Sequence, residues 1–447
     1  MYVVVVGIGQ VGRHILQQLE WDRHDVVAID SSAQVIADVE EHHDVATLVG
    51  YGANDQILHQ AGVDRADLIV AVSNNDEVNL ITALAALRLG AKRAIARVQG
   101  QAWSDEREGV QYGMLGVDVV LNPRLLLAME IAKIARSHGA LEVIDLANAR
   151  VEMVQIELNK SCRLLKKPLA KLNLPAQTLI AAIVRNGELS VPGGSDVLLE
   201  GDRIYLLGQP ESVEQAEDLF TSTRETRSAC IIGGGVIGAA VARYLSEDGA
   251  QIQLIERDAE RALAVAEALP RITVLNGDGT DLNLLTQEHS TDVDLFVATS
   301  HDDEVNLMAC LLAKRSGRAR CICVVHRPDY MEIYKQLGID IVLSPRLVAS
   351  DHVLRYTRAS ELKSLTSLES GQAEVLEIEA PEGARGVGVP MKRMGVPRGA
   401  IVAAIVGARG VLIPKGEDQV EPGDTVIVLT TSRARAAVAR LFQQRAL

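Results

Sequence analysis

Gly7, Gly9 and Gly12, and again Gly233, Gly235 and Gly238, give the chain two Gly-x-Gly-x-x-Gly runs. That spacing suits one chemistry, the cradling of a dinucleotide pyrophosphate. The first glycine turns the chain where a Cβ would clash. The second lets the backbone approach the phosphates, and the third allows close contact between strand and following helix. The helix that follows, opening with Gln10 and Val11 in one copy and with Val236 and Ile237 in the other, would aim its free N–H groups and positive dipole end at the phosphates. A carboxylate stands after the next apolar run in each copy, Asp30 at 18 residues past Gly12 and then Glu256. Each can accept hydrogen bonds from ribose hydroxyls and would repel a 2′-phosphate, which favours NAD(H) over NADP(H).

Further candidates fall at the carboxyl ends of expected strands, where open α/β sheets bind ligands. Gly52 and Asp55, with Gly277, Asp278 and Thr280, follow the third strand and could border an adenine. Ser73 and Asn74, like Thr299 and Ser300, follow the fourth strand, with helix capping as the competing role. Asp76-Glu77 and Asp303-Glu304 complement a helix N-terminal dipole. Arg97 ends the fifth strand and could clamp a terminal phosphate, the alternative being a surface or interface ion pair. Its register partner is Val324, which cannot clamp anything, so the two sites should differ in ligand preference.

These landmarks recur in order. Ser73-Asn-Asn-Asp-Glu-Val-Asn79 returns as Ser300-His-Asp-Asp-Glu-Val-Asn306, at an offset of 227. Asn122-Pro123-Arg124-Leu125 returns as Ser344-Pro345-Arg346-Leu347, and Gly201-Asp202 as Gly423-Asp424, both at 222. The chain is a duplication. Each half opens with apolar runs separated by helix-length segments, at residues 3–6, 26–29, 46–49, 68–72, 94–98 and 117–121 of the first half. Such alternation builds right-handed βαβ crossovers and a doubly wound parallel sheet. Asn122 and Pro123 read as N-cap and first residue of a helix reaching about His138, and Ser344-Pro345 repeats the device. Short strands at 151–158 and 203–207, with turn signals between them, read as a small α+β domain. The fold class expected is α/β, a duplicated Rossmann domain with each copy followed by that smaller domain. The expected boundaries are 1–140, 141–222, 228–361 and 362–447, with the polar stretch 221–228 linking the halves.

Composition agrees. Of the 447 residues 48% are hydrophobic but only 3% aromatic, so Val, Ile, Leu and Ala must fill the cores, as in parallel α/β proteins. A net charge of −14 argues against a nucleic-acid footprint and against electrostatic attraction to anionic lipid. The start leads straight into a strand with no secretory signal, and the most apolar helical stretch, 125–135, carries Glu130 and Lys133. Cys162, Cys230, Cys310, Cys321 and Cys323 lack metal-ligand spacing and read as buried thiols of a protein in a reducing compartment.

Residues 6–12, Ser73–Asn79, the duplicated Asn122-Pro123-Arg124 and the pattern Leu172-Asn-Leu-Pro175, Ala181-Ala-Ile-Val-Arg-Asn-Gly-Glu188, Gly201-Asp202 together closely resemble the TrkA family. Its members are cytosolic regulatory subunits of bacterial Trk potassium-uptake systems, built as alternating N- and C-terminal RCK domains. The resemblance implies a peripheral protein at the cytoplasmic face of the inner membrane. It further implies a homo-oligomer, a tetrameric ring, beneath an integral-membrane potassium-translocating subunit of the TrkH or TrkG type. NAD(H) and ATP or ADP would set the gate. Residue by residue it carries nucleotide binding onto Gly7, Gly9, Gly12, Asp30, Ser73, Arg97, Gly233, Gly235, Gly238 and Glu256; Val324 departs from phosphate clamping at the second site. Potassium enters through the resemblance alone.

Two rivals remain to be separated. An NAD-dependent dehydrogenase needs a substrate domain with a general acid or base, yet none of the ten histidines recurs in register. A DNA-binding redox regulator needs a basic-faced helix pair, which no segment supplies. The expectation is a protein that binds nucleotides without transforming them and is not an enzyme.

Overall fold

The computed structural model describes residues 1–100, 103, 109–137, 139–221, 226–316, 319–357 and 364–443. The chain forms two compact units, one of Met1–Ala132 with Thr226–Thr357, the other of Lys133–Glu225 with Arg358–Leu447. Each unit therefore holds a pair of duplicated parts.

In the first unit the chain runs β1 (Tyr2–Val6), α1 (Gln10–Trp21), β2 (Asp25–Asp30), α2 (Ala33–His42), β3 (Ala46–Val49), α3 (Asp55–Gln60), β4 (Leu68–Ala71), α4 (Asp76–Leu89), β5 (Ala94–Arg97), β6 (Val110–Tyr112), β7 (Val119–Leu121) and α5 (Pro123–Arg136). The strand order is β3-β2-β1-β4-β5-β7-β6. All pairs are parallel except β6 on β7, an antiparallel edge strand that the sequence pattern does not announce. Val3, Val4 and Val5 are fully buried because helices cover both faces of the sheet, which explains an uninterrupted valine run in place of alternation.

The smaller part follows as β8 (Ala140–Leu146), β9 (Val151–Glu157), β10 (Thr178–Arg185), β11 (Glu188–Ser190), β12 (Arg203–Gly208) and α6 (Pro210–Phe220). The second half then returns to the first unit with β13 (Ser228–Ile232), α7 (Val236–Glu247), β14 (Gln251–Glu256), α8 (Ala259–Ala268), β15 (Thr273–Asn276), α9 (Leu282–Gln287), β16 (Leu295–Ala298), α10 (Asp303–Ser316), β17 (Arg320–Val324), α11 (Met331–Gln336), β18 (Ile341–Leu343) and α12 (Pro345–Thr357). Its parallel sheet has the same order, β15-β14-β13-β16-β17-β18. The chain ends with β19 (Ser364–Leu368), β20 (Ala373–Glu379), α13 (Met391–Met394), β21 (Ala400–Gly407), β22 (Gly410–Leu412), β23 (Thr425–Thr431) and α14 (Arg435–Phe442). The linker expected at 221–228 falls largely on residues 222–225, outside the described residues.

The two Rossmann parts share a core. Helix α12 lies against α1, and its Ala349, Val353 and Leu354 join Ile15, Leu16 and Leu19 in one buried cluster. The hydroxyls of Tyr112 and Tyr356 meet at 3.0 Å beside this seam, with the Arg93 guanidinium 5.5 Å from the Tyr356 ring centre. One expected symmetry fails. Asn122 caps α5, its Oδ1 accepting the N–H groups of Arg124 at 3.1 Å and Leu125 at 3.3 Å. Ser344 accepts the Val348 N–H through its carbonyl at 3.1 Å, but its hydroxyl is buried with no hydrogen-bond partner. The shorter side chain keeps the position and loses the cap.

In the second unit two five-stranded antiparallel sheets of identical topology, β11-β10-β12-β9-β8 and β22-β21-β23-β20-β19, share one core. Both sheets carry a register shift at the same place, Ile180/Ala182 and Val402/Ala404, so that Ala181 and Ala403 are fully buried. Glu152 on β9 sits opposite Asp145 on β8, whose carboxylate pairs with Lys133. Burial, then Asp145 and Glu217, push the Glu152 carboxyl up to about 7. A raised folded-state value means that ionisation opposes folding, so stability falls as pH rises from the unfolded value of about 4.3 through 7. We expect Glu152→Gln to gain on the order of 2 kcal/mol at about pH 8 and little at about pH 5, measured by urea unfolding. Equal gains at both values would refute the assignment.

Candidate functional site

Both glycine loops are shaped by contacts that admit no side chain. Gly7 has φ +91°, and a Cβ there would lie 2.5 Å from the Ser73 backbone; Gly233 has φ +98°. A Cβ on Gly12 would fall 2.2 Å from the Gly7 carbonyl oxygen, and one on Gly238 would fall 1.9 Å from that of Gly233. Gly9 and Gly235 differ, since a Cβ on either would meet nothing within 4 Å. These two residues are the N-caps of α1 and α7, and neither helix start receives a side-chain cap. Uncapped N–H groups beside open space are a ready anion site.

The two carboxylates first hold the loops in shape. Asp30 accepts the Ile8 N–H at 2.7 Å on one oxygen and the Ser32 N–H at 2.9 Å on the other. Glu256 does the same for Gly234 at 2.7 Å and Asp258 at 2.8 Å. Each carboxylate oxygen keeps a second lone pair for a ribose hydroxyl. The longer Glu256 is matched by a glycine at 234, where a Cβ would stand 3.3 Å from both the Cβ and an oxygen of Glu256. The shorter Asp30 leaves room for Ile8.

The loops after the fourth and fifth strands are braced by residues that the repeat displays but whose role it does not reveal. Buried Asn79 donates to the carbonyls of Ser73 at 2.9 Å and Arg97 at 2.8 Å, and accepts both the N–H and the hydroxyl of Ser73. Asn306 repeats the main-chain bonds with Ser300 and Val324, while the Ser300 hydroxyl donates instead to the Asp302 carbonyl. Asp76 accepts the N–H groups of Gln99 and Gly100 at 2.9 and 2.7 Å, and Asp303 those of His326 and Arg327. Their work therefore goes beyond complementing a helix dipole: they fix the loop after β5 and the loop after β17. Thr299 donates to the carbonyls of Ile232 and Gly233. Asp278 accepts both groups of Thr280, which holds its carboxyl below the usual range. Gly52 serves packing, a Cβ there falling 2.2 Å from Val6, and Asn54 caps the helix that Asp55 begins.

A cavity of about 1380 Å³ opens between the two Rossmann parts. Gly9, Gln10, Val11, Asn74 and Arg97 line it from the first half, and Gly233, Gly235, Val236, Ile237, Glu256, Asp278 and Ser300 from the second. Gly7, Gly12, Asp30, Ser73 and Gly238 lie outside the lining, where they shape the loops. Arg97 is only 8% exposed. One terminal nitrogen donates to the Ser73 carbonyl at 2.9 Å and to Asn74 Oδ1 at 3.1 Å, while Nε is buried without a partner. No carboxylate pairs with it among the described residues. Burial lowers its guanidinium pKa, Asp76 opposes that, and Arg124 and Arg346 reinforce it. An orphaned, desolvated cation flanked by like charge calls for an anion.

Arg124, Arg346, His301 and His326 also line the cavity and were not among the expected site residues. The arginines were visible as the last residue of the duplicated Asn/Ser-Pro-Arg motif. Nothing local signalled that α5 and α12 would begin at the same cleft. The buried thiols are not part of it: all five cysteines are buried and free, Cys321 and Cys323 lie in one core with Cys310, and burial pushes Cys230 up to about 12. Among the described residues no cluster could hold a metal ion, and no helix is long and apolar enough to cross a membrane.

The TrkA-N domain family matches residues 3–123 and 229–345, and the TrkA-C domain family matches 153–221 and 375–443. The chain is 34% identical to the Trk system potassium uptake protein TrkA homolog 1 of Methanosarcina mazei, over 99% of this chain and 100% of that protein. It is 35% identical to the TrkA homolog of Archaeoglobus fulgidus over 96% and 97%, and 30% identical to TrkA of Halomonas elongata over 99% of each. Among solved structures, the GsuK RCK domain superposes with a TM-score of 0.62 at 19% identity, covering 99% of this chain and 94% of that one. The GsuK channel bound to NAD gives 0.64 at 19% identity, covering 99% and 78%. These structures share the duplicated RCK fold.

Proposed function

Because this chain belongs to the TrkA family of Trk-system potassium-uptake proteins, we propose that it is a nucleotide-sensing regulatory subunit. It binds NAD(H) and ATP or ADP at the two glycine loops and gates a membrane potassium-uptake partner of the TrkH or TrkG type by changing conformation. Two uncapped helix starts and the orphaned Arg97 cation, opening on one cavity drawn from both halves, carry this reading. The uncapped N–H groups and the glycines that keep Cβ atoms away fit a pyrophosphate, Arg97 fits a terminal phosphate, and the two carboxylates fit ribose.

A ligand touching both halves favours the arrangement in which both reach it. Each tenfold preference for that arrangement shifts the equilibrium by about 1.4 kcal/mol, and no bond in the ligand need break. To this reading belong a homo-oligomeric, tetrameric ring, a peripheral place at the cytoplasmic face of the inner membrane, and the four-part division at 1–140, 141–222, 228–361 and 362–447.

Calorimetric titration of NADH, ADP and ATP tests it. Asp30→Ala should cost about tenfold or more in affinity at the first loop and Glu256→Ala the same at the second, each sparing the other. Thermal melts separate lost binding from lost loop structure. With the membrane partner in vesicles, nucleotides should change potassium flux and be recovered intact. Steady NADH oxidation with a small carbonyl substrate would overturn the proposal in favour of a dehydrogenase.

A further inference from the structure

The second half lacks an arginine at Val324, yet it is not without cationic groups. His301 and His326 line the cavity at the register positions of Asn74 and Gln99, each at an offset of 227. Their ring centroids are 5.6 Å apart. Asp303 fixes His326, accepting its main-chain N–H at 2.8 Å and standing 3.0 Å from its Nδ1. The carboxylate beside Nδ1 leaves Nε2 as the ring nitrogen available to a ligand. We infer that His301 and His326 are the phosphate-binding side chains of the second half, supplying as imidazolium a charge that Arg97 supplies permanently in the first. The inference rests on the nucleotide-binding reading above and adds a property to it: one of the two sites responds to pH.

The surroundings set the sign. His301 faces His326 from the loop after β17, Arg124 from α5 and Arg261 from α8. His326 faces Asp303 on α10 and His301. The remaining cavity charges are Arg97, Arg243, Arg257 and Arg346, against Glu247, Glu256, Asp278 and Asp302. Burial, His326 and the two arginines hold His301 below the ordinary imidazole range, so it is neutral at pH 7 without ligand. A phosphate held beside the His301 ring stabilises its protonated form and offsets that lowering. Binding then takes up protons, and affinity grows as pH falls through the imidazole range, by up to about tenfold per pH unit for each proton taken up.

The experiment is calorimetric titration of ADP into the full chain at about pH 6 and about pH 8, in buffers of different ionisation enthalpy, for wild type and for His301→Asn/His326→Gln. The variant installs analogues of the residues the first half uses. The protonation of ADP's own phosphates is common to both titrations, so the difference between the proteins reports the histidines. Wild type should bind about tenfold more tightly than the variant at the lower pH, converge with it at the higher, and take up protons that the variant does not. Equal affinities and equal proton uptake at both values overturn the inference and leave nucleotide binding standing. Absence of ADP, ATP and NADH binding at either pH overturns both. If the double variant does not fold, His301→Asn alone decides.

Discussion

Gly12→Ala should markedly lower the melting temperature of the first Rossmann part, whereas Gly9→Ala, three residues away, should leave its melting unchanged and still abolish nucleotide binding at that loop. The difference follows from what each new methyl group meets. On Gly12 it would lie 2.2 Å from a backbone carbonyl oxygen that cannot move without opening the turn from β1 to α1. Overpacking against backbone in a closed core costs about 1–3 kcal/mol and occasionally more. Gly238→Ala should be worse, at 1.9 Å from the Gly233 oxygen and 2.7 Å from Thr299 Oγ1. On Gly9 or Gly235 the methyl enters open space beside an uncapped helix start, which is where a pyrophosphate would be held. Circular dichroism melts paired with NADH titration read the two effects apart. A destabilised Gly9→Ala, or a Gly9→Ala that binds normally, would remove the case for phosphate at that loop.

Arg97→Met should lower affinity for ADP and ATP by about a hundredfold and leave stability unchanged or improved. A charge-assisted pair with phosphate is worth about 1.5–3 kcal/mol, which this variant forfeits. The folded protein without ligand gains by the exchange, because a buried guanidinium with an unpartnered Nε and two neighbouring arginines gives way to an apolar side chain of similar length. NADH, which has no terminal phosphate, should lose much less. Affinities from titration and unfolding midpoints from urea provide both readouts. A strongly destabilised Arg97→Met with unaltered ADP affinity would assign the arginine to structure.

The fold was legible from the sequence where periodicity and glycine chemistry coincide. The runs at 3–6 and 26–29 became β1 and β2 because each is buried on both faces, the run at 46–49 formed the half-exposed edge strand β3, and the glycine spacing placed both turns. β6 was not legible, since a three-residue edge strand has half-exposed residues and no pattern to display. Asp76 and Asp303 looked like dipole partners because sequence shows which residues begin a helix. Their actual work, holding a loop some 23 residues onward, depends on the crossing of two strands. The same limit hid Arg124 and Arg346, whose approach to Arg97 depends on how the two halves dock. His301 and His326 were hidden differently: asking which histidines repeat discards those that make the halves unlike.

Helix α12 has a consequence for how such a chain could arise. It completes a core begun by residues from the other half of the sequence, so residues 1–225 made alone would leave the face of α1 bare. Two half-length chains could cover that face by exchanging their last Rossmann helices, as a symmetric dimer would. In a dimer of identical chains every substitution occurs twice. Joining the two copies in one polypeptide makes their meeting independent of concentration and ends that constraint. An arginine can then stand at 97 without one at 324, and a histidine at 301 without one at 74. A single chain of this kind lets each glycine loop change without its counterpart.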